Sequence, residues 1–439
     1  MMLPHIPRHP ILMVSLYNES SHLLFFIVEN KTSIHILIQR SWEYLQFILL
    51  LFLHFTGLQT NNKDKQIMCK QTSTSTEQHD ELKKIKNSVT NQKWVLSKRP
   101  NGNFNPDTDA KLISESIFLL ECEEDEVVVE TQMLSVDAFI RTMLDEEAYH
   151  GSVVLGNTIP AIGYGKVIHA GPSSGYKVGN IVQGMVGSQT HAKIKASNGF
   201  LMRKINFPFV PDSASLGLMG LTTGITAYAG VFYCLQKPKK GETVVVTAAA
   251  GAVGSIACQL AKSTGARVIG VAGGSKKGAY LLDELNIDGS VDYKHSEKSV
   301  PAQLDELCPN GVDFVYDNVG GPILDDLLNK INRNGRIVVC GAVSQYSDGA
   351  VNRGLVRGPS NYLRLAERGA TMSGFNVMQY GPRLIFAIFG MFWMYLRGKV
   401  IMKEHIELGI EYFPSALNKL FTGGHMGKLL VKVNKTNIK

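Results

Sequence analysis

The chain has 439 residues, 44% hydrophobic and 19% charged, with a formal charge of +7, which leaves room for two or three domains. Its lysines and arginines are scattered, which argues against nucleic-acid binding. The six cysteines (Cys69, Cys122, Cys234, Cys258, Cys308 and Cys340) make no Cys-x-x-Cys pair and no zinc-type spacing, so neither a disulfide framework nor a metal site is expected, and they read as reduced thiols of a reducing, cytoplasmic compartment.

Residues 1–90 differ from the rest and read as an extension outside the working protein. Apolar runs cover 23–28 and 44–58, and a polar stretch rich in Lys, Thr, Ser and Asn follows over 59–91, the composition of a disordered linker. As a helix, 44–58 would span about 22 Å, short of the roughly 30 Å hydrocarbon core, so only weak membrane association is expected of it. Further on, the acidic runs 121–126 and 145–147 read as solvated turns. His150 and His191 read as structural histidines, with a shared cleft as the sharper reading.

The strongest signal is Glu242-Thr-Val-Val-Val-Thr-Ala-Ala-Ala-Gly-Ala-Val-Gly-Ser255. The β-branched stretch 242–247 predicts a strand buried on both faces. Small residues make the turn, and Val253, Ile256, Ala257, Leu260 and Ala261 recur at helical spacing until Gly265. Such a turn lets backbone N–H groups and a helix N-terminus approach a pyrophosphate, so Ala249-x-Gly251-x-x-Gly254 reads as a dinucleotide fingerprint.

The second strand, 266–272, runs into Gly273-Gly-Ser-Lys-Lys277. An NAD site would carry an Asp or Glu there for the ribose hydroxyls. Ser275, Lys276 and Lys277 instead suit a 2′-phosphate, and so NADP(H). Alternation continues with strands at 290–293, 312–316 and 335–340 and helices at 303–307 and 322–331, which implies a parallel, doubly wound sheet. Ligands of such sheets lie beyond the carboxyl ends of the strands, which places Asn318, Cys340, Gly341 and Tyr346 near the cofactor. The run 384–396 is apolar all round, and such a helix is expected to be buried on several sides. A second subunit is the preferred cover and a membrane surface the alternative.

From about 91 to 433 the chain resembles the medium-chain dehydrogenase/reductase superfamily, and more closely its zinc-free branch of prostaglandin and alkenal double-bond reductases. The resemblance rests on Ser135-Val-Asp-Ala-Phe-Ile-Arg141, Gly224-Ile-Thr-Ala-Tyr228, Ala248-Ala-Ala-Gly-Ala-Val-Gly254, Asp317-Asn-Val-Gly-Gly321, Cys340-Gly-Ala-Val-Ser-Gln-Tyr346 and Gly427-Lys428. It implies an α/β protein with a GroES-like, partly open β-barrel catalytic domain (91–215) and a Rossmann NADP-binding domain (216–374). A C-terminal return to the barrel (375–439) completes it, and a homodimer is expected.

By position, the resemblance implies that Gly251, Ala252, Val253 and Gly254 hold the pyrophosphate, that Lys277 and Tyr293 contact the 2′-phosphate, and that Asn318 lies on the ribose or adenine side. Cys340, Gly341, Ser344 and Tyr346 would line the nicotinamide, with Phe375, Asn376 and Val377 opposite. His425 takes a cofactor-facing position where the family usually has Asn. Phe139 and Arg141 would belong to the substrate pocket with Tyr346, the expected catalytic hydroxyl; Phe139 stands where the family usually has Tyr. Ser188 and His191 replace a Trp–Tyr pair common in the barrel. The activity implied is NADPH-dependent reduction of the C=C bond of α,β-unsaturated aldehydes and ketones. The alternatives are a quinone reductase and a membrane-associated NADPH-binding protein without turnover.

Overall fold

The computed structural model describes residues 12–16, 24–28, 34–37, 87–148, 150–198, 202–205, 207–294, 297–347 and 357–434. The chain divides into two units, 1–74 and 75–439. In the first, β1 (Leu12–Leu16), β2 (Leu24–Val28) and β3 (Ile34–Leu37) form an antiparallel meander. The N-terminal extension thus contains three strands, each a short run rich in Leu, Ile, Val or Phe. The apolar run 44–58 and the polar stretch up to residue 86 lie outside the described residues.

In the second unit, β4 (Ser88–Leu96) and β5 (Ala110–Phe118) pair as a long antiparallel ribbon. A seven-stranded sheet follows. It holds β6 (Glu126–Ser135), β7 (Ile162–Ala170), β8 (Ile181–Met185), β9 (His191–Lys195), β10 (Arg203–Lys204), β17 (Glu404–Leu408) and β18 (Lys428–Lys432). Its order is β10-β8-β7-β6-β18-β17, with β9 also on β6. The chain end thus returns to this sheet, as the GroES-like arrangement requires.

Between these segments lies the dinucleotide-type sheet: β11 (Thr243–Thr247), β12 (Arg267–Ala272), β13 (Gly289–Asp292), β14 (Val312–Asp317), β15 (Ile331–Val339) and β16 (Thr371–Gly374). Its order is β13-β12-β11-β14-β15-β16, and every pairing is parallel. That is the doubly wound order whose switch point lies between the first and fourth strands, here β11 and β14. Strand β11 is buried throughout, which explains its lack of polar alternation. Val245, Ile269, Val271, Val315 and Ile337 join one core with Leu304, Leu327 and Leu328 from the covering helices. β16 carries too short and mixed a pattern to be read from sequence, and β15 starts earlier than its apolar core suggests.

Several contacts tie the C-terminal return to the Rossmann part. Gly427 N donates to Ala250 O at 2.8 Å, so the return strand begins on the glycine-rich turn after β11. The Gln259 side chain donates to Ile401 O and accepts from Ile401 N, both at 2.8 Å. On the side of the seven-stranded sheet, Lys428 and Asp137 form a buried ion pair at 2.7 Å, and Ser135 donates to the same carboxylate. A charge pair this deeply buried must keep both members, so it fixes the register of β18 against the end of β6.

Candidate active site

The turn after β11 is built for close backbone approach. Ala248 sits at φ 47°, in the left-handed region, where few non-glycine residues go. Its carbonyl accepts from Gly251 N at 2.9 Å, and a Cβ on Gly254 would collide with that carbonyl. Gly251 caps the helix Ala252–Ser263 with no side chain over the exposed N–H groups. Twelve residues of helix therefore present their positive end to the cleft.

That cleft has a volume of about 1390 Å³, and Gly251, Ala252, Val253 and Gly254 line it. Behind them Thr247 Oγ1 donates to Asp317 at 2.7 Å. Asn318 returns two bonds to Thr247, from its backbone N and its side-chain Nδ2, each 2.7 Å. Asp317 also accepts from Val319 N and Gly320 N, while burial raises its carboxyl. Asn318 lines the cleft, but its amide also clamps the ends of β11 and β14, which holds the switch point open.

One end of the cleft is a cluster of cations. Lys277 Nζ donates to Gly423 O at 2.9 Å, and Lys294 Nζ reaches Thr422 O at 3.4 Å. A methyl on Gly423 would lie 3.4 Å from Lys294 Nζ and 3.6 Å from Lys277 Nζ, so both ammoniums converge on this glycine. Neither forms an ion pair among the described residues. Burial first, and then Lys294, pushes Lys277 below its usual value. Tyr293 packs beside them against Gly273, and Tyr293 and His425 both line the cleft. A half-buried ammonium and an exposed one held together at this turn fit a phosphate of NADP(H). Lys276 and Lys294 are both exposed and neither lines the cleft, but only Lys294 brings its ammonium to the Gly423 turn beside Lys277. Lys294 was not read from the sequence; its only signal was its place just after Tyr293, at the end of β13.

At the other end stand Cys340, Gly341, Ser344, Tyr346, Phe375 and Val377. Burial pushes the Cys340 thiol up to about 12, so it stays protonated at neutral pH and is no nucleophile. Ser344 Oγ donates to Val319 O at 2.6 Å, fastening the loop after β15 to that after β14. Tyr346 Oη accepts from Ala342 N at 3.3 Å, and a methyl on Gly341 would come within 2.9 Å of that oxygen. Glycine at 341 is what allows the phenol to lie there.

Phe139, Met143, Ile162, Met185 and Leu221 give the facing wall an apolar character. His150 also lines the cleft, edge-on to Phe139 with ring centroids 5.6 Å apart. His191 does not; its neighbours are Thr190 and Asn91. Arg141, expected in the substrate pocket, is fully buried instead. It pairs with Asp145 at 2.6 Å and donates to Gly102 O at 2.5 Å, because the short helix Phe139–Met143 turns it away from the cleft wall and into the protein.

Comparison with known proteins decides the kinship. A family model described as "N-terminal domain of oxidoreductase" matches residues 92–202, and one described as "Zinc-binding dehydrogenase" matches 252–383. The chain is 34% identical to a 2-alkenal reductase (NADP(+)-dependent) of Nicotiana tabacum, over 79% of this chain and 98% of that one. It is 32% identical to prostaglandin reductase 1 of Bos taurus, over 77% and 98%. The crystal structure of CurA in complex with NADPH from Vibrio vulnificus superposes with a TM-score of 0.70 at 31% identity, covering 78% of this chain and 99% of that one. The chain belongs to the medium-chain dehydrogenase/reductase family, in its alkenal and prostaglandin reductase branch. Although one matching family model is described by zinc, no group of three or more His, Cys, Asp or Glu residues that could hold a metal ion occurs among the described residues of this reductase.

His425 gives this family member a pH-dependent stability of its own. Burial first, and then Lys277, holds its imidazole down at about 4, against roughly 6.5 in an unfolded chain. Between those values the folded state binds fewer protons than the unfolded one, so stability falls as pH drops from about 6.5 towards 4. The loss should reach on the order of 3 kcal/mol. His425→Asn carries no charge anywhere in that window, so urea melts of the variant are expected to show a flatter acid limb. An unchanged limb would assign the titration to another group.

Proposed function

We propose that this protein reduces the C=C bond of α,β-unsaturated aldehydes and ketones at the expense of NADPH. The observation that carries the reading is a single cleft with Lys277 at one end, where Lys294 converges on the same Gly423 turn from outside the lining, and Tyr346 with an apolar wall at the other. The relatives named for 2-alkenal and prostaglandin substrates support it. When bound, NADPH supplies a hydride for the substrate's β-carbon.

The chain's own residues do the rest. Gly251 to Gly254 and the helix behind them would seat the pyrophosphate, and Lys277, Lys294 and Tyr293 the 2′-phosphate. Phe375 and Val377 would hold one side of the nicotinamide and Cys340 to Ser344 the other. Phe139, Met143 and Leu221 would orient an apolar enone and exclude water, and orientation of this kind contributes much of the rate. As charge builds on the carbonyl oxygen it needs a donor. Tyr346 offers a neutral O–H, and accepting from Ala342 N strengthens it as a donor.

Self-association as a homodimer and a cytoplasmic location complete the reading. β16 ends the parallel sheet, and a sheet edge is a template for pairing with a second copy; light scattering on the purified chain tests this.

NADPH consumption by the purified protein should be measured with a medium-chain enone, an oxo-prostaglandin and a quinone in parallel. Selective oxidation with the enones, at least about tenfold faster than with the quinone, is expected, since a tenfold preference needs only about 1.4 kcal/mol of differential binding. A faster quinone reaction would reassign the acceptor. NADPH binding without any turnover would leave a binding protein.

A further inference from the structure

The helix Leu384–Leu396 does not behave as a covered core helix. Its inner face (Ala387, Ile388, Met391, Phe392) is buried, but Phe386, Trp393 and Leu396 stand 48%, 41% and 40% exposed. With half-buried Phe389 between them, they form one stripe at helical spacing that reaches solvent, where a surface helix normally carries polar residues. The stripe is framed by cations. The Arg383 guanidinium lies 4.5 Å from the Tyr233 ring centre before the helix, and that of Arg397 lies 4.8 Å from the Trp393 ring centre at its end. Lys399 follows, and no Asp or Glu occurs between Arg368 and Glu404.

We infer that this face seats the protein on an anionic lipid surface. Aromatic rings flanked by arginines, with no acidic residue among them, match the boundary between headgroups and acyl chains. At 13 residues the helix is roughly 20 Å long, and no helix of the described residues is long and apolar enough to cross a membrane, so it lies in the plane of the surface. A second copy of the chain fits less well. Two-fold pairing through the stripe would set Arg383, Arg397 and Lys399 against the same cations with no counter-charge in the segment. The helix is also joined directly to the cleft: Val377, Met378 and Gln379 line the cleft and lead through Arg383 into it. Docking would therefore place the cleft margin beside the bilayer, where apolar enones partition. That last consequence rests on the proposed function; the docking does not.

The test uses the full purified chain with vesicles of phosphatidylcholine alone and of phosphatidylcholine with roughly 30% phosphatidylserine. The parent should cosediment about tenfold better with the anionic vesicles and lose that preference at high salt. The double variant F386S/W393S should bind at least about tenfold more weakly, while its NADPH consumption in solution is unchanged. Brominated lipid should quench the parent's Trp393 emission, identified by difference from W393F, and this needs no disruptive variant. Equal vesicle binding by parent and double variant, absence of quenching, or a parental dimer that the double variant dissociates would each overturn the proposal. Because vesicle binding is read without turnover, failure of the enone assay and failure of docking are separate results.

Discussion

Replacing Lys277 and Lys294 together by alanine is expected to raise the KM for NADPH by roughly 10²–10⁴ while leaving the KM for NADH almost unchanged. Hydrogen bonds to a charged group are worth about 1.5–3 kcal/mol each, and two ammoniums acting on one phosphate would give the product of two such factors. The single Lys277→Ala change should account for the larger part, because Lys277 is the more buried of the two and lines the cleft. The pH dependence has a defined sign. Burial and Lys294 hold the free Lys277 below its ordinary value, and a bound phosphate would favour its charged form. NADPH affinity should therefore fall as pH rises through the depressed value, with proton uptake on binding, while NADH affinity should not follow. Steady-state kinetics with both nucleotides across alkaline pH measure this. A parallel loss for NADH would mean that the lysines only hold the 422–423 turn in place.

Tyr346→Phe is expected to lower kcat by about 10²–10³, the usual cost of removing one donor from a developing oxyanion, with little change in NADPH binding. Phenylalanine keeps the ring against Gly341 and removes only the oxygen, so the loop 340–346 should survive through the bonds of Ser344 to Val319 and of Cys340 N to Asp317 O. Fluorescence titration with NADPH separates a lost donor from a lost loop. Unchanged turnover would remove Tyr346 from the chemistry and turn attention to His150, a polar side chain on the wall beside Phe139.

What could be read in advance was written locally. The sequence 242–255 carries strand, turn and helix in one stretch, because burial on both faces selects β-branched residues and close packing selects glycine. The Gly-Gly-Ser-Lys-Lys ending of the second strand suggests an anion site for the same local reason. Even there the reading was too generous: Lys276 and Lys277 are neighbours, but on the helix Ser275–Ala279 adjacent side chains diverge by about 100°, so only one can face the cleft. Arg141 fails similarly, since the motif around Asp137 does not show which way a five-residue helix turns its guanidinium.

The sequence by itself determined the parallel sheet, the glycine-rich turn after its first strand and the loop bearing Tyr346, because each follows from backbone periodicity and side-chain size within a few residues. Only the tertiary structure decided that Lys294 joins Lys277 on a turn 128 residues further along, that Lys428 finds Asp137 across 291 positions, and that Gly427 rests on Ala250. It also decided that the apolar helix Leu384–Leu396 turns Phe386 and Trp393 outward. These depend on how the C-terminal return docks between two folded parts. Docking is selected by the sum of many weak contacts, and no spacing along the chain records it.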